Sequence, residues 1–67
     1  MMVKNVGERL LRMKEVLIRT GFSRSAIYQK IAEGSFPRQI KIGARAAAWL
    51  ESDIDTWISE KVKASSR

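Results

Sequence analysis

The 67-residue chain contains no cysteine and no histidine. It therefore has no disulfide framework, no thiolate metal site and no imidazole to act as a general base, and nothing in it asks for an oxidising compartment. Long hydrophobic runs are missing as well. No stretch approaches the roughly 20 apolar residues that span a bilayer, and the opening MMVKNVGERLLRMKEV lacks the uninterrupted apolar segment of a signal peptide. A soluble protein of the cytoplasm with no membrane partner is the expectation. Acidic residues are scarce: seven Asp and Glu stand against thirteen Lys and Arg, a formal charge of +6. The sequence pI is near 10.4. So short a chain buries only about 60% of its unfolded surface, which allows one domain with a small core and excludes two.

The positive charge is unevenly placed. Residues 1–45 carry ten Lys and Arg against three acids (Glu8, Glu15 and Glu33), a net +7, whereas residues 46–67 carry three against four, a net −1. Such an excess suits a polyanionic partner, nucleic acid or an anionic membrane, and the last third is not expected to form the binding face.

Periodicity divides the chain into few elements. Residues 1–8 show none and read as a flexible N-terminal arm, and residues 64–67 as a frayed C-terminus, leaving 9–63 as the folded domain. Arg9-Leu10-Leu11-Arg12 is too short to assign, a short strand being one reading. Met13, Val16, Leu17 and Thr20 follow one helical face, and Gly21 stands where a left-handed cap belongs, so a first helix is predicted over Met13–Thr20. Ser23 offers a capping hydroxyl to a second helix over Arg24–Glu33, and Phe22 is placed to pack on Ile27 as a hydrophobic staple. Gly34 ends that helix and Pro37 prevents a quick restart.

Beyond Pro37 the period shortens. Ile40 and Ile42 alternate with Gln39 and Lys41, and Gly43-Ala44-Arg45 turns the chain into Ala46-Ala47-Ala48-Trp49, a β-hairpin over residues 39–49. Three alanines favour helix over strand, and only the preceding glycine and following tryptophan argue otherwise. A final helix carries the stripe Ile54, Trp57, Ile58 and Val62, with Glu51, Asp53 and Asp55 in its first turn and Lys61 and Lys63 in its last, matching the helix dipole. Phe22, Phe36, Trp49 and Trp57 are assigned to the core, since a small domain needs large aromatic burial. Ile18 points away from the face that Val16 and Leu17 define, to be covered by the last helix or by a partner subunit.

Two short helices joined by Thr20-Gly21-Phe22-Ser23 match a helix-turn-helix, whose tight turn sets the second helix steeply enough to enter a major groove. The fold class is mainly α with a small β-hairpin, a winged helix-turn-helix with the hairpin as wing. With the core direction set between Ile27 and Ile31, Ser25 and Gln29 face most directly outward, and Tyr28 and Lys30 lie on the flanks. Arg24 lies nearer the core side but in the first turn, where a long side chain swings around the helix end. Gln pairs with adenine, Arg with guanine and Ser with either, while Tyr and Lys more often hold the backbone. The first turn at Ser23 presents free N–H groups to a phosphate. Lys14, Arg38, Lys41 and Arg45 complete the candidate DNA-binding set of Ser23, Arg24, Ser25, Tyr28, Gln29 and Lys30. The blander reading of each polar residue alone is a solvated helix face, and Tyr28 has a second one, with its ring in the core and only its hydroxyl exposed.

An ordered series of short motifs carries a resemblance: Glu15-Val16 with Thr20-Gly21, Ser23-Arg24-Ser25 with Ile27-Tyr28, Phe36-Pro37, Ile42-Gly43 with Arg45, and Trp49 with Asp53-Ile54 and Trp57-Ile58. Over Arg9 to Val62 the chain resembles the AlpA family of small phage and prophage regulators, relatives of the MerR-like winged helix-turn-helix proteins and excisionases. The resemblance implies a nucleoid-associated, DNA-binding transcriptional regulator of a mobile element, with the helix that begins at Ser23 as reading helix and Gly43-Ala44-Arg45 as wing tip. Double-stranded DNA is the expected partner, and no cofactor is expected. A single small module covers roughly 600 to 1,000 Å² on DNA, so self-association, cooperative binding on tandem sites, or a recombinase or transcription-machinery partner is anticipated. Catalysis is disfavoured, because Ser23 and Ser25 have no evident base and the acids sit at a helix start that explains them. An excisionase-like module that bends DNA and recruits a recombinase is the rival class. RNA binding is weaker still, for want of an exposed stacking platform.

Overall fold

A computed structural model describes residues 8–65. Leu11, Val16, Ile27, Trp49 and Ile54 are fully buried, with Met13 and Phe36 nearly so, and the three helices, the first and third strands and the loop after the second helix supply them. The order is β1 (Leu10–Arg12), α1 (Met13–Thr20), α2 (Arg24–Glu33), β2 (Ile40–Gly43), β3 (Ala46–Leu50) and α3 (Glu51–Ser65). Both short helices match their expected limits, and the three strands form one antiparallel sheet in the order β1-β3-β2. This is a winged helix-turn-helix, with the β2–β3 hairpin as wing. Among the described residues no helix is long and apolar enough to cross a membrane.

The helix ends follow from local chemistry. Gly21 adopts φ 77° and its N–H donates to the Leu17 carbonyl at 2.8 Å. Only three residues separate the helices, and Ser23 closes the turn by accepting the Ala26 N–H at 3.2 Å. Gly34, at φ 81°, donates to Ile31, while the Ser35 N–H reaches Lys30, a paired set of bonds that satisfies the carbonyls left over at the end of α2.

The alanine-rich strand is real because tertiary pairing outweighs its helical propensity. β3 is central: Leu11 pairs with Trp49 and Arg12 with Ala48 on one side, Ile40 with Ala48 and Lys41 with Ala47 on the other. Ala48, next to Trp49 in this strand, is fully buried. The wing departs from strict alternation. Pairing passes from Lys41–Ala47 to Gly43–Ala46, leaving Ile42 as a bulge, and both Ile40 and Ile42 are exposed. Gly43 lies within β2, so the turn itself is Ala44-Arg45 and β3 runs one residue past the expected limit, to Leu50.

Of the aromatic residues, Trp49 and Phe36 are buried, and Phe22 and Trp57 pack half-buried against the core. The Trp49 indole N–H donates to the Pro37 carbonyl at 2.9 Å and that of Trp57 to the Ser35 carbonyl at 2.7 Å. Phe36 meets Trp57 edge-on at 4.9 Å. The link from α2 to the wing is thereby pinned at both ends of Phe36. The stripe on α3 is covered only as far as Ile58; Val62 is 60% exposed, because α3 outlasts the domain beneath it. Ile18 is 73% exposed, so the last helix does not cover it.

α3 follows β3 without a capping residue of its own. Its first donors are met from the other end of the chain: the Glu51 N–H reaches the Arg9 carbonyl at 2.9 Å, and the Glu8 carboxylate accepts from both the N–H and the hydroxyl of Ser52 at 2.9 Å. The expected arm thus includes one residue, Glu8, with defined contacts, while 1–7 lie outside the described residues. At the other end α3 continues through Ala64 and Ser65, with 66–67 outside the described residues. Loss of such a cap costs about 1 kcal/mol, so Glu8→Ala is expected to lower Tm by about 4–8 °C in this size class. An unchanged thermal melt would show that the cap contributes nothing. Gly21→Ala places a Cβ in the left-handed region, a strain of about 1–2 kcal/mol, and chemical denaturation should show a correspondingly lower midpoint.

Candidate nucleic-acid interface

α2 presents two different flanks. At about 100° per residue, Arg24 and Tyr28 share one side of the Ile27–Ile31 core direction, and Lys30 lies on the other. Arg24 and Tyr28, one turn apart, line a hollow with Arg12, Lys14, Arg45, Ala47 and Trp49. A second hollow, lined by Tyr28, Arg38, Gln39, Lys41, Arg45 and Ala47, continues from it along the wing. Tyr28, Arg45 and Ala47 belong to both, so the start of α1, one flank of α2 and the wing form one continuous face. Tyr28 is 42% exposed, its ring forming part of this face rather than of the buried core.

The structure thus brings together Lys14, Arg24, Tyr28, Arg38, Lys41 and Arg45. Ser25 and Gln29 are exposed on the outward side of α2 without lining either hollow, and the Gln29 amide makes only a long 3.4 Å contact to Glu33. Ser23 is occupied as the helix cap. Lys30 stands apart, its ammonium 4.9 Å above the Phe22 ring. Arg12 and Gln39 line the face and are absent from the set expected from sequence. The pattern Leu10-Leu11-Arg12 about a buried Leu11 carries the signal for Arg12: read as a strand, it delivers an arginine to the start of α1 beside Lys14.

Arg12, Lys14, Arg24, Arg38, Lys41 and Arg45 form no ion pair among the described residues, and no carboxylate lines either hollow. The acids are held elsewhere. Arg19 bridges Glu51 at 2.7 Å and Asp55 at 3.1 Å, and Arg9 bridges Glu15 at 3.2 Å and Glu51 at 3.6 Å. Exposed pairs of this kind contribute about 0–1 kcal/mol each. Their main effect is spatial, since they neutralise charge between α1 and α3 and leave the α2–wing face cationic. Among the described residues there is no cluster of metal-ligating side chains.

Residues 9–62 match the family model described as prophage CP4-57 regulatory protein (AlpA). The chain is similar to an uncharacterized protein, ORF88, of Enterobacteria phage P4, at 40% identity over 60 residues that cover 90% of this chain and 68% of that one. It is also similar to the DNA-binding transcriptional activator AlpA of Escherichia coli (strain K12), at 31% identity over 61 residues, covering 82% of this chain and 87% of that protein. With a cationic winged helix-turn-helix and a family match over most of its length, this chain belongs to the AlpA family of prophage regulatory proteins.

Proposed function

We propose that the protein is a sequence-specific double-stranded-DNA-binding transcriptional regulator of a phage or prophage element, with α2 in the major groove and the β2–β3 hairpin as wing. The observation that carries this reading is the continuous face on which six cations without carboxylate partners surround Tyr28. The Escherichia coli relative, a DNA-binding transcriptional activator, agrees with it.

Roles follow from side-chain chemistry and position. Arg24 and Gln29 are the base readers, toward guanine and adenine, each good bidentate pair being worth about 1–3 kcal/mol of discrimination. Ser25, on the same outward turn, accepts or donates to a base edge. Arg12 and Lys14 at the start of α1, with Arg38, Lys41 and Arg45 on and before the wing, hold phosphates and set the register. Tyr28 lies between these two groups and orients the backbone through its hydroxyl. The free N–H groups at the start of α2 add a further anchor for phosphate.

Selection of bound duplexes from a random pool tests the reading directly, an enriched motif being the expected result and a pool without enrichment counting against it. Gln29→Ala and Arg24→Ala are expected to change the selected bases. Lys41→Ala, Arg45→Ala and Arg12→Ala are expected to weaken all duplexes alike and reduce the salt slope by about one unit per lost phosphate contact. Equal losses on every sequence for both groups of variants would exclude base reading by α2.

The excess of phosphate-type over base-type side chains on this face favours a second reading, an excisionase-like architectural protein that bends DNA and recruits a recombinase. Under it, scrambled duplexes compete as well as selected ones, and binding brings the two ends of a short end-labelled duplex closer together in fluorescence energy transfer.

A further inference from the structure

The other flank of α2 borders a separate hollow of about 460 Å³ between the end of α1, α2 and α3. Phe22, Trp57 and Ile58 form its floor, all of them half-buried, and Phe22 meets Trp57 edge-on at 5.8 Å. Lys30 places its ammonium 4.9 Å above the Phe22 ring, and Lys61 places its own 5.4 Å above Trp57. Neither lysine forms an ion pair among the described residues, and no carboxylate lines the hollow. Val62 completes the rim as an exposed apolar side chain.

We propose that this hollow docks a short acidic segment of a second protein, which inserts an apolar side chain over Phe22 and Trp57 and pairs its carboxylates with Lys30 and Lys61. Charge complementarity selects the occupant. An apolar, aromatic floor rewards a buried side chain, and two unneutralised ammonium groups at its margin reward flanking carboxylates and repel a basic segment. Two lysines around an apolar floor do not make the extended cationic track that a nucleic acid backbone requires. Lys30 and Arg24 lie on opposite flanks of α2, so the hollow remains open while the α2–wing face is engaged. This surface is distinct from that of the proposed DNA reading and does not depend on it.

The experiment uses a fluorescein-labelled synthetic peptide alternating Asp and Glu with Leu and Phe, titrated with the full chain alone and with the chain saturated by duplex DNA. Anisotropy should rise in both cases, and amide shifts should concentrate at Phe22, Lys30, Trp57, Lys61 and Val62. Lys61→Glu and Val62→Asp each change an exposed side chain and should weaken the peptide by about tenfold or more, while leaving duplex affinity as it was and lowering the thermal melt by no more than the few degrees that an acid near a helix C-terminus costs. A peptide with Ser in place of Leu and Phe should bind at least as poorly. The proposal is overturned if duplex displaces the peptide, if shifts centre on Arg24, Tyr28 and Arg45, or if Lys61→Glu has no effect. It is also overturned if sedimentation shows that a second copy of the chain occupies the hollow and Lys61→Glu dissolves that dimer. Peptide binding without any duplex affinity would leave this inference standing and remove the DNA reading.

Discussion

Two indole N–H groups hold the backbone between the second helix and the wing, and the arrangement of the molecule depends on them. Trp49 reaches the Pro37 carbonyl from the sheet and Trp57 the Ser35 carbonyl from α3. Between the two carbonyls, Phe36 is buried against Trp57. The fully buried Trp49 would forfeit about 1–3 kcal/mol if its N–H lost that partner, whereas the Trp57 bond lies at the surface and serves to orient a half-buried ring. Trp49 is also the largest of the fully buried side chains, and the two bonds together hold the loop that leads from α2 to the wing.

The loop so held gives the charge its meaning. At physiological salt, fields from exposed charges fade over about 8 Å, so the formal +6 of the chain matters less than which cations stand together. The glycine turn and the pinned loop bring Arg24 and Tyr28 next to Arg12, Lys14 and Arg45. Meanwhile Arg9 and Arg19 are drawn into pairs with Glu15, Glu51 and Asp55. The acids of α3 do more than complement its dipole, because they tie the first helix to the last and keep negative charge off the α2–wing face. On the opposite flank, Lys30 and Lys61 lie over aromatic rings, giving the molecule a second face of different character, apolar at the centre and cationic at the margin.

What was legible in the sequence is what neighbouring residues decide among themselves. Gly21 as a left-handed cap, Gly34 as the end of α2, Ser23 as the N-cap, and the limits of α1 and α2 all follow from interactions spanning at most five residues. The cationic candidates on α2 and the wing were readable too, as residue types at helical and hairpin spacing. Less was readable where partners are distant. Arg12 stands on the cationic face because Leu10–Arg12 pairs with β3, nearly forty residues away along the chain. Lys30 lies off the α2–wing face because its flank of the helix is turned to Phe22 and α3. Ile40 and Ile42 alternate like a half-buried strand, yet β2 is an edge strand interrupted by a bulge, and both remain exposed.

The alanine-rich segment marks the boundary between the two kinds of information. By itself the sequence determined where the first two helices start and stop, that one small core would form, and that the first forty-five residues carry the positive charge. Each of these rests on local backbone preference, hydrophobic period or composition. The tertiary structure alone decided that Ala46–Leu50 is the central strand, that Glu8 caps a helix beginning at Glu51, and which lysines and arginines share a face. Hydrogen bonds and ion pairs between segments far apart in the chain have no local signature, and in a small domain they outweigh the propensity of any single stretch.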